Sequence, residues 1–245
     1  VSLHLVSLRP DLPRLTAFAA KTGALPAGGD LGYAVHLALR QALGATAPQP
    51  WRFFEQQRRL LGYCRDLGGF EAAVALPPLD ERTESARAAL ALDGVETRTM
   101  PTTWRSGLIL DFEVRLRPVR RTGLANRSKE RPGEHDAFGV AVRGLPREEW
   151  PSRDEVYLGF AREKLEASGA IALSRLSLAA STRTEVARSR HDGGAPRKRI
   201  DGPDVTVMGR FSVQDPEGFA ELLTRGVGRH RAFGFGMLLL KPPGR

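Results

Sequence analysis

Cysteine is almost absent: Cys64 stands alone in 245 residues. That excludes an intramolecular disulfide and fits a reducing, intracellular compartment. Histidine is sparse too, five residues scattered without the paired spacing of a zinc site. Hydrophobic runs are short, none approaching the ~18 unbroken apolar residues of a membrane span. The opening Val1-Ser2-Leu3-His4-Leu5 has neither the charged nor the apolar region of a signal peptide. These absences predict a soluble cytoplasmic protein with no membrane contact, no metal and no small-molecule cofactor. Aromatic residues make up only 7%, and the aromatic strand motifs of an ordinary RNA-recognition domain are missing.

Positive charge is abundant: 37 Lys and Arg stand against 28 Asp and Glu, a formal net charge of +9. The excess suits a polyanionic partner, nucleic acid first, although the preponderance of arginine over lysine is also what a GC-rich genome produces.

The length admits one large domain or two small ones, and the order of elements favours two. Residues 3–8 alternate and stop at Arg9-Pro10, a first strand. Asp30 can cap a helix over 31–43 in which Leu31, Val35, Leu39 and Leu43 form the buried stripe, with Gly44 ending it. Tyr33, His36 and Arg40, three and four apart, project together beside that stripe. The runs 51–54 and 60–64 form a hairpin, 80–92 a helix and 95–99 a strand. This is the βαββαβ order of a ferredoxin-like domain.

A second strand–helix series follows Pro101. Residues 107–117 read as a strand, and 118–133, rich in Arg, Lys, Gly and Pro, as a mobile basic loop. Ser152 with Glu155 makes a capping box for a helix to Ala167. Residues 171–180 and 205–213 are strands, joined across a long basic connection over 182–199. Asp215-Pro216 opens a further helix, and 236–240 is the last strand. The fold class predicted is therefore α+β, tandem ferredoxin-like (RRM-like) domains over 1–100 and 105–245.

Before the last strand lies Arg225-Gly226-Val227-Gly228-Arg229-His230-Arg231-Ala232-Phe233-Gly234-Phe235-Gly236. Glycines allow a close backbone approach to phosphates and the arginines attract them. No Gly-Lys-Ser/Thr follows, so it is not a P-loop. Taken alone, the stretch reads more readily as a turn feeding a buried strand.

Four stretches resemble the repeat-associated (RAMP) RNA-processing superfamily of CRISPR systems, and within it the CasE family of endoribonucleases. They are Tyr33 to His36, Val114 to Pro118, Gly209 to Pro216, and Gly226 to Leu240. Residues 65–103 and 119–150 match poorly. The resemblance implies metal-independent cleavage of repeat hairpins in the CRISPR transcript, leaving a 2′,3′-cyclic phosphate and a 5′-hydroxyl. It further implies that the enzyme stays bound to its guide RNA as a subunit of Cascade.

His36 and Tyr33 fall on the family's catalytic positions, and a pKa of about 6.5 suits an imidazole to either proton-transfer role. On the helix alone His36 would read as a boundary histidine. Leu37 stands where some relatives carry a basic residue, so charge stabilisation would fall to Arg40 or to the glycine-rich loop (Gly226, Gly228, Gly234, Gly236). Arg231 replaces the family's usual lysine, keeping charge while changing geometry.

RNA contacts are expected from Arg183, Arg188, Arg190, Arg197, Lys198 and Arg199 on the basic hairpin, which has Gly193-Gly194 within it, and from Arg229 and Arg231. Arg117, Arg120, Arg121, Arg127 and Lys129 offer a second patch for RNA contact. His230 reads as a phosphate contact, His4, His135 and His191 as structural or solvated, and Trp51, Trp104 and Trp150 as core. The rival readings are an RNA-binding subunit of the same fold without catalysis, and a small-molecule enzyme, which would leave the basic hairpin unexplained.

Overall fold

The computed structural model describes residues 2–25, 31–122, 133–188 and 198–244. The first half contains β1 (His4–Leu8), α1 (Leu12–Lys21), α2 (Gly32–Leu43), β2 (Trp51–Phe54), β3 (Arg59–Cys64), α3 (Leu67–Ala75), α4 (Glu81–Leu90) and β4 (Glu96–Thr99). Its strands form an antiparallel sheet in the order β2-β3-β1-β4. The second half contains β5 (Ile109–Leu116), β6 (Val119–Thr122), β7 (Gly133–Asp136), α5 (Ala137–Ala141), α6 (Arg153–Glu166), β8 (Ile171–Arg188), β9 (Lys198–Val213), α7 (Pro216–Arg225) and β10 (Leu239–Lys241). Its main sheet runs β10-β5-β9-β8, again antiparallel.

In each sheet the unit's fourth strand borders its first, then its third, then its second. That is the ferredoxin-like order, present twice, as the alternation of elements predicts. The chemistry of the ends follows the sequence. Asp80 accepts from the Thr83 amide at 2.6 Å and caps α4, while Ser152 and Glu155 complete the capping box of α6. Leu31, Val35, Leu39 and Leu43 are all buried. Asp30, expected to cap α2, lies outside the described residues.

Helices α1 and α3 were not anticipated. Asp11 caps α1 through the Arg14 amide at 3.0 Å, with Pro13 in the first turn, and Asp66 caps α3 through Gly69 at 2.9 Å. Two expected loops are corrected. The stretch 118–133 is not wholly loop, because its ends pair as the hairpin β6–β7, from Val119 opposite Asp136 to Thr122 opposite Gly133. The connection 182–199 is largely strand: pairing continues from Thr182 opposite Asp204 to Arg188 opposite Lys198. Thr182, Thr184 and Val186 supply β-branched residues at every second position there, and Arg183 pairs across the strands with Asp201 at 3.0 Å.

Each sheet buries its own core, one around α1, α2 and α4, the other around β5, β9, α6 and α7. Tyr63 of β3 belongs to the second core and donates to the Leu238 carbonyl at 2.9 Å, fastening the halves together. Among the described residues no helix is long and apolar enough to cross a membrane.

Candidate active site

The glycine-rich stretch closes the second half onto α2. Val227 N–H donates to the Gly236 carbonyl at 2.8 Å, and Gly236 N–H to the Arg115 carbonyl on β5 at 2.7 Å, so the loop's ends are tied together and to the sheet. Gly226, Gly228, Gly234 and Gly236 all have positive φ, between +73° and +83°, a region where side chains are strained. At Gly234 a Cβ would lie 2.6 Å from the Trp51 ring, which makes glycine the condition for seating the loop on β2.

Between these glycines His230 adopts a left-handed φ of +60° and begins a short 3-10 turn, Arg231–Phe233. The Phe233 ring packs against the first core. It meets His36 edge-on at 5.1 Å and Tyr33 at 6.0 Å, with Tyr33 and His36 themselves 6.2 Å apart. His36 also hydrogen-bonds the backbone of Ala232. The two most recognisable motifs of the sequence, from opposite ends of the chain, thus form one cluster.

Burial and then the nearby Arg40 charge push the His36 pKa down to about 4, against the Ala232 hydrogen bond, which favours the protonated ring. At neutral pH the imidazole is therefore neutral, able to accept a proton. Tyr33 is buried behind it and Arg40 is exposed one turn further on. A groove of about 310 Å³ runs past Gly32 at the start of α2, Trp51, Arg52 and Arg115 to Thr182 and Thr184 on β8.

Several expected contacts take other roles. Arg117 is only 1% exposed. Its guanidinium donates to Thr184 Oγ1 and to the Thr184 carbonyl, both at 3.2 Å, and lies over the Phe235 ring. It locks the base of the β8–β9 hairpin and is no surface patch residue. His230 is likewise interior, its side chain 2% exposed and its Nε2 2.7 Å from Glu134, so the expected phosphate contact is corrected too. Trp51 is core and Trp104 packs edge-on against Phe219, whereas Trp150 is exposed at 43%.

Arg229 donates to Glu134 at 2.8 Å, and Arg231 donates to the Arg225 carbonyl at 2.6 Å. Arg120 pairs with Glu163 at 2.6 Å. Arg120, Arg121, Arg229 and Arg231 share a cleft of about 610 Å³ with Lys164 and Arg225, which the sequence reading did not select. Lys164 gave no signal there, because a lysine on an exposed helix face looks like any other. Arg183 is held by Asp201 and by Asp136. Arg188, Lys198 and Arg199 stand on the paired strands β8 and β9. Arg127, Lys129, Arg190, His191, Gly193, Gly194 and Arg197 lie outside the described residues.

These features define a tandem ferredoxin-like protein whose second unit reaches through a glycine-rich loop to a histidine-bearing helix of the first. Residues 3–242 match a family model described as CRISPR associated protein, and the chain belongs to that family. No curated protein matches the sequence. Among solved structures, the chain is similar to the CRISPR endoribonuclease Cse3 bound to a 19-nucleotide RNA, at 19% identity and a TM-score of 0.62, covering 99% of this chain and 100% of that one. It is similar to Cas6e from Escherichia coli K-12 at 13% identity and a TM-score of 0.52, covering 99% and 100%. A chain of a CRISPR RNA-guided surveillance complex, pre-nicking, follows at 17% identity and a TM-score of 0.54, covering 98% and 100%. At these identities the likeness is one of fold.

Proposed function

We propose that this chain is a metal-independent endoribonuclease of the cytoplasm that cleaves the hairpin of a CRISPR repeat transcript and stays on the product as a Cascade subunit. Residues 1–100 form the domain carrying the catalytic helix, and 105–245 the domain carrying the basic hairpin and the glycine-rich loop. The observation that carries the reading is His36, neutral and partly exposed, set by Phe233 and Ala232 of that loop.

The attacking group in this reaction is the RNA's own 2′-hydroxyl. Neutral His36 takes its proton, the 2′-oxygen bonds to the adjacent phosphorus, and the bond from phosphorus to the 5′-oxygen breaks, the leaving oxygen taking a proton from water. The products are a 2′,3′-cyclic phosphate and a 5′-hydroxyl. Tyr33 holds the imidazole from behind, and Arg40 supplies positive charge for the phosphorane. The hairpin arginines and lysine grip the RNA stem through its phosphates.

The test is incubation of the protein with its own repeat RNA in EDTA. A single cut leaving a 5′-hydroxyl is expected; tight, salt-sensitive binding with no cut would instead identify a binding subunit without catalysis. The pH profile assigns the role of His36. With its pKa near 4, a base is fully competent over about pH 6 to 8, and kcat/KM falls only as the pH drops toward 4. An acid of the same pKa would give the opposite sign, a rate falling about tenfold per unit as pH rises above 4.

A further inference from the structure

The mechanism leaves unused a buried carboxylate that grips the loop. Glu134 belongs to β7, in the stretch 119–150 where the motif resemblance is poor, and its side chain is 10% exposed. One oxygen, Oε2, lies 2.7 Å from His230 Nε2. The other, Oε1, accepts from Arg229 Nε at 2.8 Å and lies 2.7 Å from its Nη2. Burial pushes the carboxyl's pKa up, but the charges and hydrogen bonds of His230 and Arg229 hold it below the usual range, so it is ionised.

What it grips is the residue on which the loop turns. His230 is one of few non-glycine residues with positive φ among the described residues, and its carbonyl accepts from Phe233 N–H at 2.8 Å, closing the 3-10 turn. A left-handed histidine is disfavoured unless its surroundings hold it. The His230 ring then stands 6.0 Å from Phe233, which stands 5.1 Å from His36. From β7 to α2 the sequence of contacts is Glu134, His230, Phe233, His36.

We infer that Glu134 is a positioning residue for His36: by clamping His230 and Arg229 it fixes the turn that sets Phe233 and the Ala232 backbone against the imidazole. Glu134 touches no reacting atom in this scheme. The inference rests on the proposed role of His36 for its catalytic consequence, but its structural half does not. It also gives the β6–β7 hairpin a purpose, since that insertion brings the carboxylate to the loop.

The test replaces Glu134 by glutamine in the full chain and follows the His36 ring by NMR as pH is varied. Release of the turn hydrates His36, and its pKa is expected to climb from about 4 toward the ordinary value of about 6.5. With repeat RNA, kcat is expected to fall about tenfold or more while KM changes little, and the acid limb of the pH profile moves up with the ring's pKa. Glu134→Asp, which keeps the charge but withdraws it, shifts both readouts less and in the same direction. Should the glutamine variant not fold, the aspartate variant carries the same measurements. An unchanged His36 titration in a folded variant overturns the clamp. If the wild type cuts no RNA, the proposed function fails, and the clamp still stands or falls on the titration.

Discussion

Replacing His36 by alanine is expected to slow single-turnover cleavage of repeat RNA by ~10²–10⁴-fold, the usual contribution of a positioned proton-transfer group. Binding is expected to change little, because the imidazole is neutral at working pH and the affinity comes from arginines that the substitution leaves in place. The measurement is a pre-steady-state time course with protein in excess, beside a filter-binding titration in the same buffer. Cleavage undiminished by His36→Ala would sink the mechanism. Equal loss of binding and cleavage would show that the substitution had disturbed the fold instead. Alanine is the suitable probe because the ring is only partly buried, so truncation leaves no large cavity in the core.

The second large effect concerns stability. Gly236→Ala is expected to destabilise the chain by ~3 kcal/mol, lowering the melting midpoint by about 6–12 °C for a protein of this size. Two costs combine: φ is +79°, and a Cβ would lie 2.2 Å from the Val227 carbonyl oxygen and 3.1 Å from the Val227 nitrogen and carbonyl carbon. These are backbone atoms of the loop's own closing contact, so no side-chain rotation relieves the clash. Gly228→Ala is the control. Its φ is +74° but its Cβ would meet only Leu116 Cδ2, at 3.7 Å, so the strain of positive φ is expected alone, about 1 kcal/mol. Equal melting points for the two variants would contradict this account.

The repeated ferredoxin-like order was legible because it depends on local signals. Asp80, Ser152 with Glu155, and Asp215 with Pro216 each announce a helix start, and Phe112, Val114 and Leu116 alternate as a half-buried strand must. Helix α3 was hidden because Gly68 and Gly69 stand in its first turn, where glycine argues for a loop. The extension of β8 and β9 was hidden by their charge. The basic residues of 182–199 read as a solvated connection until Arg183 is seen paired with Asp201 across the two strands.

At the site, the pairing of His36 with the glycine-rich loop could be anticipated only through family resemblance. Nothing local to α2 says that Phe233 will lie against it. Arg117 was misplaced for a related reason. A strand-end arginine followed by proline looks exposed, and only the approach of Thr184 and Phe235 from other elements encloses it. Glu134 had no signal at all, since its value lies in a partner almost a hundred positions away.

The loop that sets His36 lies nearly two hundred residues after α2 and is synthesised well after it. A nascent chain that ends before Phe233 already holds α2 and its histidine, but neither the aromatic edge nor the backbone group that surround the ring in the finished protein. Contacts between such distant parts of a chain form late in folding. A fragment that stops short of the loop can therefore carry the histidine and the first sheet, yet only a chain that includes residues 226–236 surrounds the histidine with its working environment.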